Sequence, residues 1–295
     1  MFIAHFTKFL QFEKRYSPHT VTAYQKDLKQ FYAFIKLSEL DFGDVLHIHV
    51  RSWIVELLDQ GIEAKTVNRK ISTLRSFYKF LHRQNFIQVN PMLLVQAPRV
   101  PKRLPVTIEE EKINSMLDTA NSEIFSNDFS GIRSRLIIEL LYGTGIRSSE
   151  LINLKEHDID MYGHQIKVLG KRNKERIIPI NSSLLELILQ YIESKKSQNF
   201  NNNSVFLIVT NEGNIAYPKF IYRIVNSILS YISTNDKKSP HVLRHTFATS
   251  LLNHGAELNA IKELLGHASL AATQVYTHNS VERLKLIYKQ AHPKG

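Results

Sequence analysis

Residues 98–106, PRVPKRLPV, constrain this chain more than any other stretch. Three prolines and three basic residues, with little apolar content, can neither propagate a helix nor sit inside a sheet. The segment predicts a stiff, extended linker between a domain over 1–97 and another over 107–295. Two domains are also what a length of 295 residues favours. Directly after the linker, Thr107-Ile108-Glu109-Glu110 has the spacing of a capping box and predicts the start of a new helix.

Before the linker the periodicity is helical. Phe2, Phe6, Phe9 and Leu10 recur at helical spacing. Ser17-Pro18 reads as an N-cap followed by proline at the first helical position, opening a helix with Val21, Tyr24, Leu28, Phe31, Tyr32 and Ile35 on one stripe. A third helix fits Ile48 to Leu58, closing at Gly61. A fourth begins near Lys65 with Val67, Ile71, Leu74, Phe77, Tyr78 and Leu81 on its apolar face. Its other face carries Lys65, Arg69, Lys70, Arg75, Lys79 and Arg83, and Asn90-Pro91 ends the unit. Of these basic residues, Lys65, Arg69, Lys70 and Arg75 are the candidates for contacts to nucleic-acid phosphates.

After the linker come helices, including an apolar one over Arg135 to Tyr142, and then Gly143-Thr-Gly145-Ile146-Arg147-Ser-Ser-Glu150-Leu151. The glycines allow a sharp turn, which places Arg147 at the start of the next helix with Glu150 one turn on to orient it. The β-rich region follows: Ile159 to Tyr162, Gln165 to Leu169 and Glu175 to Ile180, with 170–174 as the tip of a hairpin. Lys171, Arg172, Lys174 and Arg176 crowd this tip, which is suited to reaching into a DNA groove. Helices over 182–194 and Lys219 to Ile232 flank an apolar strand or helix piece, Val205 to Val209. With only 11 Gly and 9 Pro, the expected class is mainly α with a small antiparallel β-sheet.

Charge bounds the partners. The formal net charge is +11; residues 1–97 hold 13 basic and 8 acidic side chains, and 98–295 hold 25 and 19. Basic surface on both halves fits a polyanion gripped from two sides. There is no cysteine, which excludes disulfides, thiolate nucleophiles and Cys-containing zinc sites. The N-terminus lacks the pattern of a signal peptide, and no uncharged run approaches the ~20 residues of a membrane span. The expected setting is therefore soluble and cytoplasmic, with no membrane partner.

The stretch from Ser239 to His278 concentrates His241, Arg244, His245, His254, His267, Tyr276 and His278 on what reads as short, tightly turned helices. Ser239-Pro240 fixes a helix start, so His241 falls in the first turn and Arg244 one turn on. Gly255 and Gly266 read as residues just past helix ends, so His267 follows a terminus directly. Such a group suits phosphoryl transfer. Arg147 and Arg244 each present a planar fork of donors to non-bridging oxygens and stabilise the extra charge of a pentavalent phosphorane. A phenol, ordinarily of pKa ~10, becomes a nucleophile only beside cations or a base, and Tyr276 is the candidate. Lys171 suits protonation of the leaving sugar oxygen. The scheme needs no metal or other cofactor, and the carboxylate clusters that two Mg2+ ions would require are missing from the basic segments.

The residues SPHTVTAYQKDLKQFYAF, TVNRKISTLRSFYKFL, GTGIRSSEL, VLGKRNKERIIPI, SPHVLRHTFATSLLNHG, LLGHASLAATQVYTH and ERLKLIYKQAHP, in this order, make the chain resemble the tyrosine recombinase (phage integrase) family, most closely its Xer branch. The resemblance spans nearly the full length. It implies the two-domain tyrosine recombinase fold, a helical core-binding domain plus a mixed catalytic domain clamped around duplex DNA. It implies that Arg147, Lys171, His241, Arg244 and His267 activate the phosphate, that Glu150 supports them, and that Tyr276 forms a 3′-phosphotyrosyl bond. Arg172 stands where the family usually has glycine after the lysine, which leaves Lys174 as a second, weaker candidate for the acid. His245, His254 and His278 match no catalytic position.

The implied partners are a double-stranded recombination site and a homo- or hetero-tetramer on two synapsed sites, with room for a second recombinase and a DNA translocase. The face formed by Val281, Leu284, Ile287 and Tyr288 is expected to dock on a neighbouring protomer. The implied role is resolution of chromosome or plasmid multimers. The alternatives are an integrase or invertase of a mobile element, or a catalytically silent DNA-binding protein, against which the intact residue set argues.

Overall fold

The computed structural model describes residues 1–101, 106–118, 124–170, 174–200, 204–235, 237–266 and 288. The chain divides into two compact units, Met1–Arg103 and Leu104–Gly295.

The first unit contains α1 (Phe2–Lys8), continued by a π-helical turn over Phe9–Glu13, then α2 (Pro18–Lys36), α3 (His47–Asp59), α4 (Ala64–Arg83) and a 3-10 turn at Pro91–Leu94. The start of α2 follows its local chemistry. Ser17 Oγ accepts from Thr20 N at 3.3 Å, and Pro18 sits where a missing N–H costs nothing. Val21, Leu28, Phe31 and Ile35 of α2 are buried, as are all six residues of the predicted α4 stripe. Each such side chain contributes about 1.5–3 kcal/mol. Aromatic rings fill the remaining space, with Phe42 and Phe77 centroids 4.8 Å apart and Phe31 and Trp53 4.9 Å apart.

The buried arc of α4 is wider than its apolar stripe and takes in Lys70, Thr73 and Phe80. Asp27, itself buried on α2, is the reason. It accepts from both terminal nitrogens of Arg69, from Lys70 Nζ at 3.2 Å and from Thr73 Oγ1 at 2.9 Å. Gln30 Oε1 also accepts from Lys70 Nζ. The expectation that Lys70 faces a phosphate backbone is therefore corrected. A cation on the inner arc of a helix must find an anion inside the unit, and Lys70 has found one.

The second unit contains α5 (Glu110–Leu117), α6 (Phe129–Thr144), α7 (Ser148–Asn153), a 3-10 turn (Glu156–Asp158), strands β1 (Ile159–Asp160), β2 (Gln165–Leu169) and β3 (Glu175–Pro179), then α8 (Ser182–Lys196), α9 (Pro218–Ile232), α10 (Pro240–Asn253) and α11 (Leu258–Leu265). Asp128 starts α6 by accepting from Gly131 N at 2.7 Å, earlier than the predicted Arg135. Leu136, Ile137, Ile138, Leu140 and Leu141 are all buried, so the C-terminal half of α6 is enclosed by protein, and α8, α9 and α10 pack on the helix. The helix after the linker begins at Glu110, and Thr107 does not cap it: residues 107–109 are extended, with Ile108 N donating to Thr246 Oγ1 on α10 at 3.1 Å. The segment 205–209 is neither a helix nor a continuous strand: it bends at 207–208 between isolated bridges from Phe206 to Lys155 and from Val209 to Ile215.

The sheet is antiparallel in the order β1-β2-β3, with Ile166 opposite Ile178 and Val168 opposite Arg176. These four residues share the buried face, because side chains alternate along a strand. Arg176 thus points inward by register, and its expected place on a DNA-reaching tip is corrected.

A third apolar cluster joins Phe247 and Leu251 of α10 to Ile261, Leu264 and Leu265 of α11, and includes Tyr288. Tyr288 donates to Gly143 O at 3.0 Å. It packs within its own unit; Val281, Leu284 and Ile287, the rest of the face expected to dock on a neighbouring protomer, lie outside the described residues. No described helix is long and apolar enough to cross a membrane.

Candidate active site

The site grows from the end of α6. Gly145 terminates that helix in the left-handed region, φ 60°. A side chain there would be strained and would also meet the Phe247 ring and, at 2.8 Å, Leu265 Cδ2. The turn delivers Arg147 to the N-cap position of α7. Glu150 then bonds the same residue twice: its Oε2 accepts from Arg147 N at 2.9 Å and its Oε1 from Arg147 Nη1 at 2.7 Å. The predicted orienting pair is formed.

Two distant segments complete the group. Arg244, buried on α10, donates through Nη1 to Gly145 O and through Nη2 to Leu265 O at 2.6 Å. Arg176 on β3 donates from Nη1 and Nη2 to the two oxygens of Glu150, both at 2.9 Å, and from Nε to Leu264 O at 2.8 Å. Arg147 Nη2 donates to Gly266 O at 3.1 Å. Three successive carbonyls, Leu264, Leu265 and Gly266, thus each accept from a different arginine. They are the free acceptors at the negative end of α11, where cations are favoured. Gly266 ends that helix at φ 61° and lies against the Arg176 stem: a Cβ would lie 3.2 Å from Arg176 Cδ, so the stem would have to shift slightly.

The electrostatics follow from this crowding. Burial alone would raise the Glu150 carboxyl, but the Arg176 and Arg147 hydrogen bonds and charges overcome it and hold the group at about 2. Burial and the neighbouring Arg147 and Arg176 pull Arg244 down to about 10, partly offset by Glu150. Burial, then His245, Arg244 and Arg147, push the His241 imidazole below its ordinary value. Among these described residues one carboxylate faces three guanidiniums, so two positive charges remain uncompensated. Arg147 keeps a third of its side chain open to solvent, at 32%. This is a place built to receive an anion.

His241 lies on the exposed side of the first turn of α10, its ring 6.3 Å from that of His245. Ser239 precedes this helix without a side-chain cap bond. Lys171, Arg172, His267 and Tyr276 lie outside the described residues. Lys174 is exposed, and its carbonyl closes the hairpin by accepting from Gly170 N at 2.7 Å. His254 is tied to packing through Ser250 O at 2.8 Å and stands 3.9 Å from Glu110. In the first unit Lys65 is exposed; Arg75 is exposed and donates to Val95 O at 2.9 Å; Arg69 is half exposed and shares the single carboxylate of Asp27 with Lys70.

Sequence reasoning missed Asp27 in the first unit and misplaced Arg176 in the second. Asp27 had a signal, since it sits between Tyr24 and Phe31 at the spacing of an apolar stripe. The inward direction of Arg176 was also readable, as it alternates with the apolar Ile178.

A profile of the phage integrase family matches residues 107–283, and one of the phage integrase N-terminal SAM-like domain matches residues 3–85. The tyrosine recombinase XerC of Staphylococcus saprophyticus is 38% identical, with 97% of this chain and 95% of that protein covered. The tyrosine recombinase XerD of Staphylococcus haemolyticus is 36% identical with 99% of each covered. The fold is shared with the XerH site-specific recombinase in a post-cleavage complex with a palindromic difH substrate, at 19% identity and a TM-score of 0.71 over 97% of this chain and 93% of that one. With both profiles matched in order and more than a third of the residues identical over nearly the whole length, the chain belongs to the phage integrase family, the tyrosine recombinases, enzymes that cut and rejoin DNA.

Proposed function

We propose that this chain is a Xer-type site-specific recombinase whose scissile phosphate sits against Arg147 and Arg244. The carrying observation is the uncompensated positive charge at the C-terminal turn of α11, where the two guanidiniums are held by fixed partners. Each guanidinium has five N–H donors, so those not bonded to carbonyls or Glu150 are left for non-bridging oxygens. Burial first, and then repulsion from neighbouring cations, lowers Arg244 and His241, and an anion at this point opposes both effects. The anion favours the protonated form of His241, which can donate to the same phosphate.

In this reading the Tyr276 oxygen attacks the phosphorus, its phenol proton passing to solvent, and the bond to the 5′-oxygen breaks. That oxygen leaves with a proton, supplied by Lys171, with Lys174 as the weaker candidate. His267, one residue beyond the arginine-bound turn, shares the stabilisation of the phosphorane. The 5′-hydroxyl of a partner strand later attacks the phosphotyrosine, which restores the phenol and makes a new diester. One ester bond replaces another at each step, so no nucleotide hydrolysis is required. The exposed Lys65 and Arg75 contribute phosphate contacts from the first unit. The duplex site, a homo- or hetero-tetramer on two synapsed sites, a second recombinase and a DNA translocase are the proposed partners, and multimer resolution in the cytoplasm the proposed role.

Incubation with a duplex nicked near the cleavage position, in EDTA, followed by denaturing electrophoresis tests this reading. A DNA–protein adduct is expected, with none from Tyr276→Phe although that variant still shifts the DNA. An adduct that persists in Tyr276→Phe contradicts the assignment.

A further inference from the structure

Arg176 touches three pieces of the site at once. Its two terminal nitrogens fill one lone pair on each Glu150 oxygen, and Arg147 fills the others through its backbone N and Nη1. Its Nε holds Leu264 O, and its stem supports Gly266, the residue before His267. Three of its five N–H donors are engaged within the protein and the side chain is only 4% exposed, so Arg176 acts through Glu150 and the α11 terminus. We propose that Arg176 is a positioning residue for DNA cleavage, clamping the Glu150 carboxylate and the last turn of α11 so that the Arg147 guanidinium is fixed for a phosphate oxygen. This deepens the function proposed above and rests on it.

A buried carboxylate needs its acceptor sites filled, and Arg147 alone fills half of them. Among the described residues, the charged groups facing Glu150 are Arg147 from its own helix start, Arg176 from β3 and Arg244 from α10. Without Arg176, burial is opposed only by Arg147 and the field of Arg244, so the carboxyl takes up a proton at higher pH. Protonated Glu150 no longer pairs with Arg147, and the guanidinium loses its fixed direction. Cleavage should then acquire an acid limb. A lysine would restore the charge but not the fork that meets two oxygens and a carbonyl together.

The test is single-turnover adduct formation on nicked site DNA by the full chain, from about pH 5 to about pH 9, with DNA binding measured in parallel against salt. Arg176→Met should slow the reaction about a hundred-fold at neutral pH and move its acid limb upward. Arg176→Lys should keep the acid limb of the unchanged chain while reacting about ten-fold more slowly. The double variant Arg176→Met/Glu150→Gln should lose the added acid limb, because no carboxyl remains to titrate. The salt dependence of DNA binding should be the same in all of them. An unshifted acid limb in Arg176→Met, or a salt slope reduced by about one, overturns the inference while leaving the proposed function in place. If Arg176→Met fails to fold, Arg176→Lys decides, and an undiminished rate overturns it. Absence of adduct from the unchanged chain counts against the proposed function and this inference together.

Discussion

At the scale of single residues, charge in this protein is governed by burial and pairing rather than by residue type. Glu150, Lys70 and Arg176 are all below 9% exposed, and each is bonded to a fixed partner of opposite charge that offsets its desolvation. That has a pH consequence. The folded-state pKa of Glu150, about 2, lies below its ordinary 4.5, so its stabilisation is fully present above 4.5 and is lost as pH falls towards 2. The integrated effect is on the order of 3 kcal/mol. Urea denaturation between about pH 6 and about pH 3 should show a loss of stability over that window, and Glu150→Gln should flatten it. An equally steep loss in Glu150→Gln assigns the effect to other carboxylates. These pairings were the least legible part of the sequence. Lys70 looked like one more cation on a basic helix face, and nothing local to it says that Asp27, 43 residues away, lies opposite.

Elements were legible where local chemistry and packing agree. The Ser17-Pro18 start, the stripe of α4 and the strands Gln165–Leu169 and Glu175–Pro179 follow from capping, period 3.6 and period 2. Where the surroundings decide, local signals misled: Thr107-Ile108-Glu109-Glu110 has the letters of a capping box, yet its first residues are held extended against α10. Asp27 is the pin between α2 and α4. Asp27→Ala leaves Lys70 buried without an anion and should cost about 3–5 kcal/mol. The loss should be read from the fluorescence of Trp53, the single tryptophan, which is buried in the same unit. A cost under about 1 kcal/mol contradicts the buried-pair account. Gly145 is the corresponding pin of the site. Gly145→Ala should destabilise the second unit by about 2–4 kcal/mol through left-handed strain and contact with Phe247, measured by circular dichroism in urea. It should also slow adduct formation, since Arg147 begins two residues later.

Across the whole molecule, the active site is made by folding rather than by any contiguous segment. Arg147 meets Gly266 across 119 residues, Arg244 meets Gly145 across 99, and Arg176 meets Leu264 across 88. Sequence motifs name these residues but not their shared target, the last carbonyls of α11, because a backbone acceptor has no letter. The net charge of +11 predicts DNA binding that weakens steeply with salt. Lys65→Ala should lower the slope of log K against log salt by about one, whereas Lys70→Met should leave it unchanged. A slope lowered equally by both places Lys70 on the DNA after all. The central claim is that a phenol oxygen displaces the 5′-oxygen at a phosphate held by Arg147 and Arg244. Its most direct test is mass spectrometry of the adduct trapped on nicked DNA, after nuclease and protease digestion. The account predicts a nucleotide 3′-phosphate esterified to Tyr276, with the yield collapsing in Arg147→Lys and Arg244→Lys. Attachment at another residue, or through a 5′-phosphate, contradicts it.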